Sequence, residues 1–142
     1  MNGFFYGVAL QWKLDIRSRS LLVTCYIVPL IFFLLMGGIF TSVMPEMRST
    51  LIQSMAVMSV SMGAFIGLPP SLMETYGRDV KKAYKANGVP LYLGLITMFL
   101  SSFVHLMLAC GIIFLFAPVL FGAVLPGDLP LFFLALAIYI IV

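Results

Sequence analysis

Three stretches of this chain run on without a charged side chain: residues 20–45, 49–73 and 86–127. A backbone placed in hydrocarbon must satisfy its own polar groups, and a helix does so within one segment. About 20 apolar residues in a helix cross the roughly 30 Å of a bilayer interior. In water the same runs would need a polar coat. Only 9% of the residues are charged and 63% are hydrophobic, whereas soluble domains carry about a quarter charged residues. The expected fold class is all-α, a polytopic integral membrane helix bundle forming one domain over 1–142.

Turn signals divide the runs into helices. Asn87-Gly88-Val89-Pro90 marks a loop at the start of the third run, and Pro118 with the Gly122 to Pro126 stretch marks its far end. The expected spans are near 21–42, 50–72 and 91–117, with an interfacial helix over 3–18 ahead of them. The fourth apolar segment, 129–142, covers only about 21 Å at 1.5 Å per residue. It reads as an incomplete span, and the chain is expected to be the N-terminal part of something longer.

Charge sets the orientation. Lys13, Arg17 and Arg19 precede the first span, and Arg78, Lys81, Lys82 and Lys85 follow the second. Three crossings bring both basic segments to one side, which the positive-inside rule makes cytoplasmic. The expected location is the cell (inner or plasma) membrane, multi-pass, with the N-terminus cytoplasmic. The net charge of +3 is then a topology signal, and no nucleic-acid partner is expected. Cys25 and Cys110 differ in depth by about 24 Å by helical rise, too far to bridge, so two free thiols are expected.

Residues inside the helices suggest packing more than chemistry. In 3–18, Phe5, Val8, Ala9, Trp12 and Ile16 share a helical face suited to lying along the inner surface. Pro29 should kink the first span, and Gly37-Gly38 allows close approach by a neighbour. Ser59, Gly63 and Gly67 are spaced by four, a small-residue face for helix packing. Met55, Met58 and Met62 add a pliable apolar stripe on the same span. Pro69-Pro70 should break that helix. In the third span Thr97, Ser101 and His105 share one face, with Ser102 beside them, and are candidate pathway residues. His105 is the single histidine. A hydrogen bond to another helix is favoured over proton relay, because no Asp or Glu lies within the full spans.

The sequence has no Gly-Lys dipeptide and therefore no phosphate loop, and no HExxH, CxxC or GxSxG. No catalytic, cofactor-binding or metal-ligating set is expected, and the chain is not expected to be an enzyme. The cytoplasmic loop 73–90, METYGRDVKKAYKANGVP, is the most informative segment. Val80, Ala83, Tyr84 and Asn87 fall on one face, and Glu74 and Arg78 are four apart. These spacings point to a short helix meeting a cytoplasmic partner.

The ordered set resembles the membrane subunit of the type-2 ABC exporter permease family, in its N-terminal half. LDIRSRSLL leads into a first span containing PLIFFLLMGGIF, and an inner loop opens on Glu74-x-x-Gly77 and closes on Pro90 before the third span. Gly77-Arg78-Asp79 stands where family members commonly have Gly-Thr-Leu. The resemblance implies a permease with a cytoplasmic ATP-binding subunit docked on this loop. ATP would be bound by that partner and not by this chain. A second permease copy or a C-terminal half would complete the unit within the bilayer. By the same resemblance, Glu74 and Gly77 belong to a coupling helix, joined by Tyr76, Arg78, Lys81, Lys82 and Tyr84. The alternatives are a non-transporting scaffold or assembly subunit, and a small drug antiporter, which the missing span carboxylate disfavours.

Overall fold

The computed structural model describes residues 3–75, 77–86, 88 and 90–142. Among these every regular element is a helix, and there is no strand. Helix α1 spans Gly3–Arg17. The Ser18 hydroxyl accepts from the Leu21 N–H at 3.4 Å and starts the next helix, α2, Arg19–Val43. A 3-10 turn, Pro45–Ser49, leads to α3, residues 51–75. Helix α4 is Arg78–Ala86, α5 is Leu91–Phe121 and α6 is Leu129–Ile141.

Both α2 and α3 contain a widened turn of π-helix, Val23–Ile27 in α2 and Gly63–Gly67 in α3. Each lies just ahead of proline, Pro29 in one case and Pro69-Pro70 in the other. A proline within a helix lacks the N–H for the carbonyl four residues back, and its ring collides with that carbonyl. Those carbonyls belong to Cys25, Phe65 and Ile66, inside the widened turns. Widening moves them aside, and the Val28 N–H reaches the Val23 carbonyl. Pro69-Pro70 therefore does not break the second helix as expected. The helix continues to Thr75.

Pro118 likewise does not end α5. Three more helical residues follow it, and Gly122 terminates the helix at φ +62°. The Gly122 and Ala123 N–H groups donate to the Pro118 and Ala117 carbonyls at 3.0 and 3.3 Å. A Cβ on Gly122 would meet nothing within 4 Å, so substitution there costs conformational energy alone. Gly122→Ala is expected to lower stability by about 1 kcal/mol, read as a lower thermal midpoint in detergent micelles.

Helix α5 is the centre of the molecule, touching each of the other five helices. Its buried residues change character along its length. Gly94 comes first, then the polar Thr97, Ser101 and His105, then Leu106, Ala109, Cys110, Ile113 and Ala117. At the apolar end, Phe33 of α2 and Leu51, Ile52 and Met55 of α3 pack on Ile113 and Ala117. Ala56, Val60, Leu106, Cys110 and Leu136 form a second cluster that holds α6. Phe114 of α5 adds ring contacts to Phe132 and Phe133 at 6.0 and 5.3 Å. The loop after α5 is tied to the Pro45–Ser49 turn by the Val124 N–H, which donates to the Arg48 carbonyl at 2.9 Å.

The outer surface is apolar. A core helix of a water-soluble protein hides most of its side chains, but α2 buries 22% of its most apolar window and α5 33%. Ile31, Leu34, Leu35 and Ile39 of α2 and Leu115, Phe116 and Val119 of α5 face outward. Both helices are long and apolar enough to cross a membrane.

Candidate functional site

Helix α1 packs on the first half of α5, a contact that the surface-lying expectation for 3–18 does not include. Phe5 and Ile16 are exposed, at 64% and 46%. The inward face instead carries Gln11, Trp12 and Asp15, which is 6% exposed. The physical reason lies in α5. Thr97, Ser101 and His105 follow one another at four-residue spacing, one stripe of a helix face, and a buried polar stripe needs hydrogen-bond partners. Helix α1 turns Gln11 and Asp15 toward that stripe and leaves Phe5, Leu10, Leu14 and Ile16 outside.

The Gln11 side-chain amide donates to Asp15 Oδ1 at 2.9 Å. The Ser101 hydroxyl donates to Asp15 Oδ2. One turn along α1, Trp12 lies flat on His105, with ring centroids 4.5 Å apart and planes 8° from parallel. Tyr26, from the widened turn of α2, meets His105 from the side. Its hydroxyl is 2.7 Å from Nδ1, and its ring stands edge-on at 85°. His105 is 2% exposed, and its Nε2 has no hydrogen-bond partner. Thr97 donates to the Gly94 carbonyl at 3.0 Å, and Gly7 of α1 lies over its methyl group.

Thr97, Ser101 and His105 are thus brought together, and they are joined by Gln11, Trp12, Asp15 and Tyr26. The carboxylate judged absent from the spans is supplied by α1. Asp15 lies ahead of the first span, outside the uncharged runs from which the pathway candidates are drawn. A signal was present: Gln11, Trp12 and Asp15 share a helical face as the α5 triplet does, and two polar faces in an apolar chain have reason to meet. Among the described residues no group of three His, Cys, Asp or Glu side chains could hold a metal.

The small residues of α3 pack within this chain. Ser59, Gly63 and Gly67 are buried. A Cβ on Gly63 would overlap the Leu106 side chain, and one on Gly67 would come within 3.3 Å of Cys25 Sγ. The two widened turns therefore meet at Cys25 and Gly67. Cys25 and Cys110 are both free and buried. Gly37 is covered by the ring of Phe121. A cavity of about 580 Å³ opens between α3, α5 and α6, lined by Phe65, Phe103, Leu106 and Ser102, with Ser61 and Tyr139 sharing a 2.9 Å hydrogen bond. Thr97, Ser101 and His105 do not line it.

At the start of α5 lies the expected coupling segment. Glu74 falls in the last turn of α3 and Arg78 opens α4, with side chains outside the described set; Tyr76, Asn87 and Val89 lie outside the described residues altogether. Gly77 makes the bend, and its carbonyl accepts from the Lys81 N–H at 3.1 Å. Lys81, Lys82 and Lys85 are exposed on α4. Tyr84 turns the other way, its hydroxyl 3.1 Å from where a Cβ of Gly94 would stand. No protein-family model, curated protein or solved structure matches the chain.

Proposed function

We propose that this chain is a membrane-spanning permease subunit of an ATP-driven exporter of the type-2 class, and that α4 couples it to a cytoplasmic ATP-binding subunit. The observation that carries this reading is the form of the segment between α3 and α5. It is a short, separate, amphipathic helix bounded by a bend at Gly77 and a left-handed Gly88 (φ +65°). Its lysines face outward, while Tyr84 rests on Gly94 in the first turn of α5. Such a helix passes a push on its outer face to the helix it rests on. Helix α5 contacts every other helix, so movement at its first turn would reach the whole bundle.

A bilayer setting accounts for the outward apolar side chains of α2 and α5. In this reading α2, α3 and α5 cross fully, α6 enters the same core, and the N-terminus and α4 are cytoplasmic in a cell membrane. A second permease copy or a C-terminal half completes the pathway. The partner binds and hydrolyses ATP, and this chain performs no catalysis.

The test is co-purification from native membranes. The intact protein should bring down an ATP-binding subunit, and Glu74→Ala/Gly77→Leu should lose most of it while the chain stays folded by circular dichroism. Undiminished recovery with the double variant would remove α4 as the coupling element. No ATPase with either form would reject the exporter reading.

A further inference from the structure

The seam between α1 and α5 holds an unusual balance of charge. Asp15 is almost wholly buried, and both of its oxygens accept from uncharged donors, Gln11 and Ser101. Dipoles solvate its charge without neutralising it, a costly state in an apolar interior. One turn away on the same helix, Trp12 covers the face of His105, whose Nε2 is buried without a partner.

We propose that this seam is a proton-binding site, in which His105 takes up a proton at Nε2, Asp15 is the counter-charge and the Trp12 indole face supports the resulting cation. In the tautomer protonated at Nδ1, that N–H donates to the Tyr26 hydroxyl, 2.7 Å away, and the buried Nε2 lone pair has no donor among the described residues. A proton added there makes the ring an imidazolium. A cation on an indole face is attracted by the ring quadrupole, and a carboxylate on the neighbouring helix turn lowers the cost of the charge. One proton brings the pair to zero net charge.

The other titratable groups on the elements packed here do not supply the counter-charge. On α1, Lys13 and Arg17 are exposed, as is Arg19 of α2. From α2, Tyr26 is the hydrogen-bond partner, and Cys25 is buried against Gly67. The Gly63–Gly67 turn of α3 contains no ionisable residue. On α5 itself, Tyr92 is exposed and Cys110 points its thiol to the Ala56 carbonyl. Tyr84 of α4 lies at Gly94 and Tyr139 of α6 at Ser61. The proposal rests on the seam alone and stands or falls independently of ATPase docking.

Two natural reporters occupy the site, because the chain has one histidine and one tryptophan. The full chain carrying 15N-labelled histidine, in lipid nanodiscs, would be followed from about pH 8.5 to about pH 5. The ring nitrogens should move from neutral to imidazolium shifts along a one-proton curve, and Trp12 fluorescence should be quenched along the same curve. Asp15→Asn should move the midpoint toward acid by about one pH unit or more, and His105→Gln should leave the fluorescence flat. A ring that stays neutral across the range would overturn the proposal. So would a midpoint unmoved by Asp15→Asn, or quenching that survives His105→Gln. The labelled wild-type measurement needs no substitution, so a variant that fails to fold does not leave the question open.

Discussion

Replacing Gly63 by leucine is expected to destabilise the bundle by about 3 kcal/mol and to lower its thermal midpoint more than any other single glycine substitution in α3. Gly63 is buried, and even a Cβ there would overlap the Leu106 side chain. Leu106 cannot retreat freely, because it is 4% exposed and packed with Ala56, Val60, Cys110 and Leu136. A leucine must therefore drive α3 away from α5, and α6 loses its seat on both. Alanine is the graded control. Its single methyl meets the far end of one flexible side chain, and the better helix propensity of alanine, about 1 kcal/mol, offsets part of the clash. Thermal unfolding in detergent, followed by circular dichroism, gives the series. A leucine variant as stable as the parent would mean that the α3–α5 contact is not close-packed at Gly63.

His105→Ala is the second large effect, also about 3 kcal/mol, from the void and the unmade hydrogen bond together. The Tyr26 hydroxyl loses its 2.7 Å partner and Trp12 loses the ring it stacks on. The loss should be local. Asp15 and Ser101 still bond, but the other half of the attachment of α1 is gone. Amide hydrogen exchange should accelerate along Gly3–Arg17 and change little in α6, which packs through Phe132 and Leu136 at other positions. Equal acceleration in α1 and α6 would show that His105 supports the whole bundle and not the seam in particular.

Much of this architecture is written in the chain, because apolar runs between charges leave a helix few places to start and stop. The long helices observed, Arg19–Val43, 51–75 and Leu91–Phe121, lie where the uncharged runs lie. The prolines were harder to read. Local chemistry says that Pro69, Pro70 and Pro118 interrupt a helix, and it omits the cheaper response of widening one turn, or of placing the proline near an end already closed by Gly122. The site was half legible. Thr97, Ser101 and His105 stand out against an apolar helix. Their partners come from 79 to 93 positions away in sequence: Ser101 from Asp15, His105 from Trp12 and Tyr26. The amphipathic reading of α1 gives its apolar face to the membrane surface and assigns no partner to the opposite face. That opposite face carries Gln11 and Asp15, and Asp15 meets the polar stripe of α5.

The widened turns at Val23–Ile27 and Gly63–Gly67 have a consequence for how this chain tolerates change. A π-turn holds one residue more than the α-helix needs to cover the same angle. Removing one residue from such a turn keeps the faces of the helix on either side in register, but returns the following proline to the collision that the widening relieves. Removing one from a regular stretch such as Phe33–Gly37 rotates everything beyond it by about 100°, turning the stripe through Thr41 away from the core. The two helices therefore carry a spare unit of length at the place where they touch, and a one-residue deletion there leaves the rest of each helix in register if the proline that follows is replaced as well.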